Sequence, residues 1–479
     1  MKKGKRIFLN WADGSPERMK EILTLRNRGH QIVYWTGLPG DRSQVPDVIY
    51  HDHYAAWDNV SAESVDPSEF PPPSADLIKE FYETESLILT MMNKRYDGIC
   101  VDERRHIYYN MLGYWYGVLK KYKPDVVGFH GVPHTVYNYI IYTLAKKIGI
   151  KTVMFEDPWV AERFLMYTDF KEGNKPLLME LKKNQGKNFS LNDLSPRLKE
   201  YYLNQTNPKQ DSTPVYMKHW KKKHSTLNRI IFRVNLLKNS IKDFSVFKKV
   251  PAFIIRQFGP NLEREYGKLT ILPDFSKKFV YVPLGFQPER TTSPQGDMFV
   301  DQILMIETIS ASLPKDWIIY VKEHPSQWWL RSGIRYSCAR YKGYYRRIAK
   351  IKNVKLVSIT TNTYNLIDKA QAVAVATGTA GWEALLRSKP TLAFGYPWYR
   401  DCPELFRINS VELCKSALDK INNGWKVNQQ KMIYYLKCFD NVALHGSPEV
   451  FVAKKSKVSE QETRDNMFKA FVTEVENLP

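Results

Sequence analysis

Four short runs in this chain combine residue types that could do chemistry with positions just beyond an apolar stretch. Thr377-Gly378-Thr379-Ala380-Gly381-Trp382-Glu383 follows the apolar residues 372–376. Its small residues let the backbone approach a ligand, and a helix starting there would offer unpaired N–H groups and a positive dipole end to a phosphate. Glu383 would lie one turn into that helix, within reach of ribose hydroxyls. An ordinary Thr-capped helix after a strand fits the same residues. Lys322-Glu323-His324-Pro325 follows a second apolar stretch, 317–321. Lys322 and His324, two residues apart on extended chain, share a side and could meet a nucleotide phosphate as point charge and hydrogen-bond donor; a solvated strand end is the bland alternative.

The third run, Glu156-Asp157-Pro158-Trp159, ends the stretch 151–155. Adjacent carboxylates on a strand point to opposite sides. One could therefore act as nucleophile or base while the other supports it, with Asp157 the favoured nucleophile. A carboxylate capping a turn beside Pro158 is the competing reading. The fourth, Val282-Pro283-Leu284-Gly285-Phe286-Gln287-Pro288-Glu289, continues into Thr291-Thr292-Ser293-Pro294-Gln295-Gly296, a polar loop that could close over a ligand or simply be a proline-stiffened connection. Gln287 and Glu289 in it, and His130 and His134 after the strand 125–129, are candidate contacts to a sugar or acceptor. His51-Asp52-His53 has metal-ligand types but no third ligand, and no D-x-D sequence is present, so no metal site is expected.

These residues matter only if strands and helices deliver them to one edge. In open α/β sheets, ligands bind beyond the carboxyl ends of the strands. The chain has that grammar twice. Strand 6–10, a helix stopped by Gly29, strand 31–35, strand 125–129, helix 136–148 and strand 151–155 form one set. Strands near 279–282, 317–321, 354–357, 371–376 and 390–394, alternating with helices, form the other. The predicted fold class is α/β: two Rossmann-like domains facing a cleft (GT-B), with a basic helical insertion. The expected divisions are 1–170, an acceptor-binding and catalytic domain; 171–270, a basic, helical insertion or inter-domain region; 271–412, a nucleotide-sugar domain; and 413–479, C-terminal helices.

The runs V-P-L-G-F-Q-P-E-R-T-T (282–292), V-K-E-H-P (321–325) and T-G-T-A-G-W-E-A-L (377–385), in that order, resemble the bacterial capsule polysaccharide biosynthesis protein family, whose best understood members are retaining Kdo transferases of GT-B fold. The resemblance implies a glycosyltransferase of capsule or surface polysaccharide synthesis. It would move a sugar, an ulosonic acid such as Kdo among the candidates, from a nucleotide donor, CMP-linked in those enzymes, to a glycan or glycolipid acceptor. It places the donor nucleotide on Lys322, His324, Thr377, Gly378, Thr379 and Glu383, and the catalytic pair at Glu156 and Asp157. The Kdo enzymes have Gly-Phe where this chain has Pro158-Trp159. No cofactor or metal is implied beyond the nucleotide sugar. Glycerophosphate transfer or sugar-nucleotide epimerisation on the same scaffold is the nearest alternative.

Composition bounds the partners. Lys and Arg (71) exceed Asp and Glu (50), a net charge of +21, which favours anionic partners. A basic nucleic-acid-binding protein is the reading from another class, but no reader motif supports it, so nucleic acid is not an expected partner. Eleven basic residues and one acid, Asp243, concentrate +10 in 218–256. Leu227, Ile230, Ile231, Val234, Leu237 and Ile241 recur there at helical spacing, as in a helix lying on an anionic inner-membrane surface or packed on the protein's own core. Five scattered cysteines without a C-x-x-C pair argue against a disulfide framework. The apolar stretch after the basic start is too short for a secretory signal, and no run approaches a membrane span. A cytoplasmic protein, peripheral to the inner membrane, is expected.

Overall fold

The computed structural model describes residues 4–11, 15–40, 42–207, 261–328, 336–449 and 456–478. The basic segment 218–256 lies outside the described residues. The chain divides into two compact units: unit 1 is 1–189, 288–298 and 434–479, and unit 2 is 190–287 and 299–433.

Unit 1 is built on β1 (Arg6–Asn10), β2 (Gln31–Gly37), β3 (Ile49–Asp52), β4 (Val126–Phe129), β5 (Lys151–Val160) and β6 (Arg163–Tyr167). Their spatial order is β6-β5-β4-β1-β2-β3, with β1 to β5 parallel and β6 antiparallel to β5. The connection from β1 to β2 shows why the local chain folds so. Ser15 caps the helix Pro16–Asn27 by accepting from Arg18 N–H, and Gly29, at φ 85°, ends it in a conformation that favours glycine.

Unit 2 carries β7 (Thr270–Ile271), β8 (Phe279–Pro283), β9 (Ile318–Lys322), β10 (Val354–Val357), β11 (Ala372–Val375), β12 (Thr391–Ala393) and β13 (Leu405–Arg407). All its pairings are parallel, in the order β13-β12-β11-β8-β9-β10-β7. The order reverses between β8 and β11, the doubly wound arrangement whose switch point receives ligands. Two apolar layers cover the sheet. Val280 and Val282 face one, while Phe279 and Tyr281 face the other, the alternation a strand buried on both sides requires.

The chain then returns to unit 1 as β14 (Leu444–His445), antiparallel to β6, and ends in the helix Glu460–Glu476. That helix covers β4. A Cβ at Gly128 would come within 2.7 Å of the Phe471 ring, and Phe471, Val472 and Val475 are buried with Ile7, Leu9 and Phe155.

Both doubly wound domains expected from the sequence are present. Two features differ from expectation, the domain divisions and the length of β5, while 171–270 is helical as expected where it is described. Divisions at 170, 270 and 412 do not coincide with the unit boundaries, because 288–298 and 434–479 join the N-terminal unit. The described parts of 171–270 contain the helices Lys175–Lys183, Pro196–Thr206 and Leu262–Gly267 and the short strand β7. Strand β5 does not stop before the acidic pair; it continues through Glu156-Asp157-Pro158 to Val160, with a register shift against β6 between Glu156 and Val160. Pro158 is tolerated because such a bulge needs no ladder N–H there.

Candidate active site

The acidic pair of unit 1 lies inside β5. Glu156 and Asp157 are each only 6% exposed, and their side chains go to different partners. Glu156 accepts from Gln295 Nε2 at 2.8 Å. Asp157 Oδ1 accepts from Trp159 N–H at 2.8 Å, and its Oδ2 accepts from the Ser447 hydroxyl. Burial pushes the Asp157 carboxyl up to about 6, against the pull of Ser447 and the Trp159 N–H. Burial likewise raises Glu156, opposed first by Arg290.

Arg290 is the cation of this cluster. It pairs with Glu449 at 3.0 Å with its side chain 12% exposed. Burial alone would lower its pKa, but Glu449, Glu156, Glu289 and Asp157 together raise it. Its Nε is buried without a hydrogen-bond partner among the described residues. Glu289 accepts from Arg290 N–H at 2.8 Å. Burial would raise Glu289, but Lys94 first, and the N–H and charge of Arg290, hold it below the usual carboxylate range.

His134 sits in the loop after β4. Its Nδ1 is 2.8 Å from the Val132 carbonyl, which can only accept, so the proton is on Nδ1 and the lone pair on Nε2. Burial, then Lys94, pushes its pKa down to about 4. His134 is therefore a neutral imidazole with a fixed tautomer, and its Nε2 has no hydrogen-bond partner among the described residues. His130 is exposed, its backbone N–H donating to the Asn10 carbonyl.

Unit 2 presents a second set at the carboxyl ends of three adjacent parallel strands, β11, β8 and β9. After β11, Thr377 is buried and Gly378 precedes the helix Thr379–Leu386 with no side-chain cap. The helix lies close to the sheet because residue 381 is glycine: a Cβ there would come within 2.5 Å of the Tyr399 hydroxyl and 2.8 Å of Val375. Glu383 is buried, its carboxyl makes no hydrogen bond to another described residue, and burial pushes its pKa up to about 8, opposed by Arg387. Near neutral pH it is a carboxylic acid able to donate as well as accept.

After β9, His324 Nδ1 accepts from Ser326 N–H at 3.2 Å, which leaves the proton on Nε2. Burial pushes its pKa to about 4. It is thus a neutral donor, with no partner for Nε2 among the described residues. The Lys322 ammonium donates to the Thr361 carbonyl at 2.5 Å and to Thr363 Oγ1 at 2.8 Å, so part of its donor capacity braces the loop before the helix Thr363–Lys369. Gln287, expected at the ligand, is in the frame: its Nε2 donates to the Val300 carbonyl at 2.6 Å, its backbone N–H to Gln327 at 2.9 Å, and its Oε1 accepts from Arg340. Fully buried Arg340 also bonds Glu323 at 2.8 Å and the Gly285 carbonyl at 3.1 Å.

The structure brings Glu156, Asp157, Glu289 and His134 into one unit, and Lys322, His324, Thr377, Gly378, Thr379 and Glu383 onto one sheet edge of the other. Residues 288–298, part of the run expected to close over a ligand or to be a proline-stiffened connection, deliver Gln295 and Arg290 to the acidic pair. Both lay in a run already singled out, but nothing in their spacing pointed to β5. Ser447, Glu449 and Arg340 carried no local signal. His51 is structural: Nε2 donates to the Val60 carbonyl at 2.7 Å and Nδ1 accepts from the Tyr34 hydroxyl at 2.9 Å. Among the described residues, no group of three or more His, Cys, Asp or Glu is arranged to hold a metal ion.

Comparison with known proteins finds a match over part of these residues. The family profile described as capsule polysaccharide biosynthesis protein matches residues 288–402, from the loop bearing Arg290 and Gln295 through the helix bearing Glu383. Two curated relatives, the capsule polysaccharide modification proteins LipA of Neisseria meningitidis serogroups B and A, are 33% and 32% identical over 81 residues. Those residues are 17% of this chain and 10% of each relative's length. Among solved structures, KpsC of Thermosulfurimonas dismutans, a β-Kdo 2,7 transferase, is 14% identical with a TM-score of 0.30, covering 69% of this chain and 81% of that one. A UDP-GlcNAc 2-epimerase from Neisseria meningitidis is 11% identical with a TM-score of 0.24, covering 98% and 100%. Scores this low do not bear on the activity of this chain.

Proposed function

We propose that this chain is a retaining glycosyltransferase of capsule or related surface polysaccharide synthesis, using a nucleotide-sugar donor and a glycan or glycolipid acceptor. The observation that carries the reading is the buried pair Glu156 and Asp157 held by Gln295 and Arg290, two residues of the family-matching stretch. Unit 2 takes the donor nucleotide. Thr377, Gly378 and the first turn of the helix from Thr379 receive phosphate oxygens, His324 donates Nε2–H to them, and Glu383 meets ribose hydroxyls.

In the first step Asp157 attacks the anomeric carbon, and the bond to the donor phosphate breaks with its electron pair leaving on the phosphate. In the second, an acceptor hydroxyl attacks the same carbon and the bond to Asp157 breaks, restoring the carboxylate. The hydroxyl proton passes to His134 Nε2, whose lone pair is open, and from there to water. Glu156 supports the pair electrostatically. The +21 net charge supports an anionic membrane surface as the working location; no helix among the described residues is long and apolar enough to cross a membrane.

The test is a screen of CMP, UDP and GDP sugars for thermal stabilisation, followed by single-turnover reaction and product stereochemistry. A nucleotide at 100 times its Kd adds about 2.7 kcal/mol of stability. Retention of anomeric configuration and a sugar adduct on Asp157 are expected. Inversion, or a free sugar-nucleotide epimer as the product, would overturn the reading.

A further inference from the structure

We propose that a pocket beside β3 in unit 1 binds a neutral sugar residue of the acceptor, remote from the reacting end; the proposal rests on the glycosyltransferase reading above. The proline run at 71–73, which no part of that reading uses, builds the wall. Phe70-Pro71-Pro72-Pro73 lies against the helix Val101–Tyr122, and the approach is close because residues 113 and 117 are glycines. A Cβ at Gly113 would sit 3.1 Å from the Pro71 carbonyl, and one at Gly117 would collide with the Phe70 ring.

Between the proline run and the helix is a cavity of about 290 Å³. Tyr114 and Trp115 line it, as do Asn59, Ser61 and Asn110, whose side chains make no hydrogen bond to another described residue. Two open amides and a hydroxyl beside aromatic and proline surfaces match a pyranose, which offers hydroxyls at its rim and C–H groups on its face. The lining bears no charge. His51, its one histidine, is kept neutral by burial, which pushes its pKa down to about 4 against the pull of the Val60 carbonyl and Asp52. In a chain of net charge +21, an uncharged pocket selects against phosphates and acidic sugars. β3 is four strands from β5 in the sheet, about 19 Å at ordinary strand spacing, several sugar residues from Asp157.

The experiment titrates the full chain with chitopentaose, maltopentaose and a β-galactan pentasaccharide, with oligosialic acid as the acidic control, followed by saturation-transfer NMR and tryptophan fluorescence. The comparison protein carries Ser61→Ala and Asn110→Ala, changes that break no side-chain hydrogen bond among the described residues. The expected result is binding of a neutral oligosaccharide by the wild type, weakened tenfold or more in the variant, with nucleotide affinity unchanged. Equal affinity in both proteins, binding of none of the neutral oligosaccharides at millimolar concentration, or preference for oligosialic acid would overturn the proposal. If neutral sugar binds at this pocket while no nucleotide sugar is turned over, the transferase reading fails and the pocket stands. Turnover with no effect of the double variant on sugar binding gives the reverse.

Discussion

Gln295 donates its side-chain amide to Glu156 at 2.8 Å across 139 positions of sequence. The bond ties β5 to a loop that the chain reaches only after entering unit 2, and it sets Arg290, five residues earlier, among the same carboxylates.

Arg290→Met leaves Glu449, Glu156, Glu289 and Asp157 without their shared cation. Breaking a buried charge cluster by removing one partner costs about 3–5 kcal/mol, so the urea midpoint should fall sharply at pH 7. Arg290→Lys keeps the charge and should recover part of the loss. A Met variant as stable as wild type would show that the four carboxylates do not depend on Arg290.

Asp157→Asn should keep the fold and the nucleotide affinity while lowering transfer on the order of a thousandfold or more, the scale seen when a residue of a catalytic unit is removed. His134→Gln should slow the second step selectively, so the glycosyl adduct on Asp157 accumulates in rapid-quench mass spectrometry. Near wild-type rates in Asp157→Asn would move the nucleophile to Glu156 or Glu289.

Stability should depend on pH through Glu383. Its folded-state pKa, about 8, lies above its ordinary value of 4.5, so between these values the folded state binds more protons than the unfolded one. The sign follows: stability falls as pH rises from about 4.5 to about 8. Glu383→Gln should flatten that slope and raise the urea midpoint at pH 8. His324 acts oppositely: its folded pKa of about 4 against 6.5 removes stability as pH falls through that window.

His324→Ala removes the neutral donor proposed to meet a phosphate of the nucleotide. Hydrogen bonds to charged groups contribute about 1.5–3 kcal/mol, which predicts a tenfold or greater loss of nucleotide affinity by calorimetry, while His324→Gln should retain part of it. Unchanged affinity in the Ala variant would take His324 out of the donor site.

The sheet of unit 2 was legible because its strands are short apolar runs separated by capped helices, and the small-residue turn at 377–379 and the Lys-Glu-His run stand directly at strand ends. β5 was read too short because Pro158 is a strand breaker in most settings, and the bulge that admits it depends on β6, a tertiary partner. Lys322 and Gln287 carried the right chemistry for a ligand, but their actual partners, Thr361 and Arg340, lie 39 and 53 positions away. Ser447 and Glu449 were invisible for the same reason: contacts of that range leave no periodicity in the local chain.

The assignment of 288–298 and 434–479 to unit 1 has a consequence for biosynthesis. Domains usually complete in the order in which they leave the ribosome. Here every segment of unit 2 has been made once residue 433 has emerged, whereas unit 1, though begun first, lacks β14, Ser447 and its covering helix until the last few dozen residues follow. Asp157 is therefore made 290 residues before Ser447, and the unit that holds the acidic pair is completed after the unit that was started second.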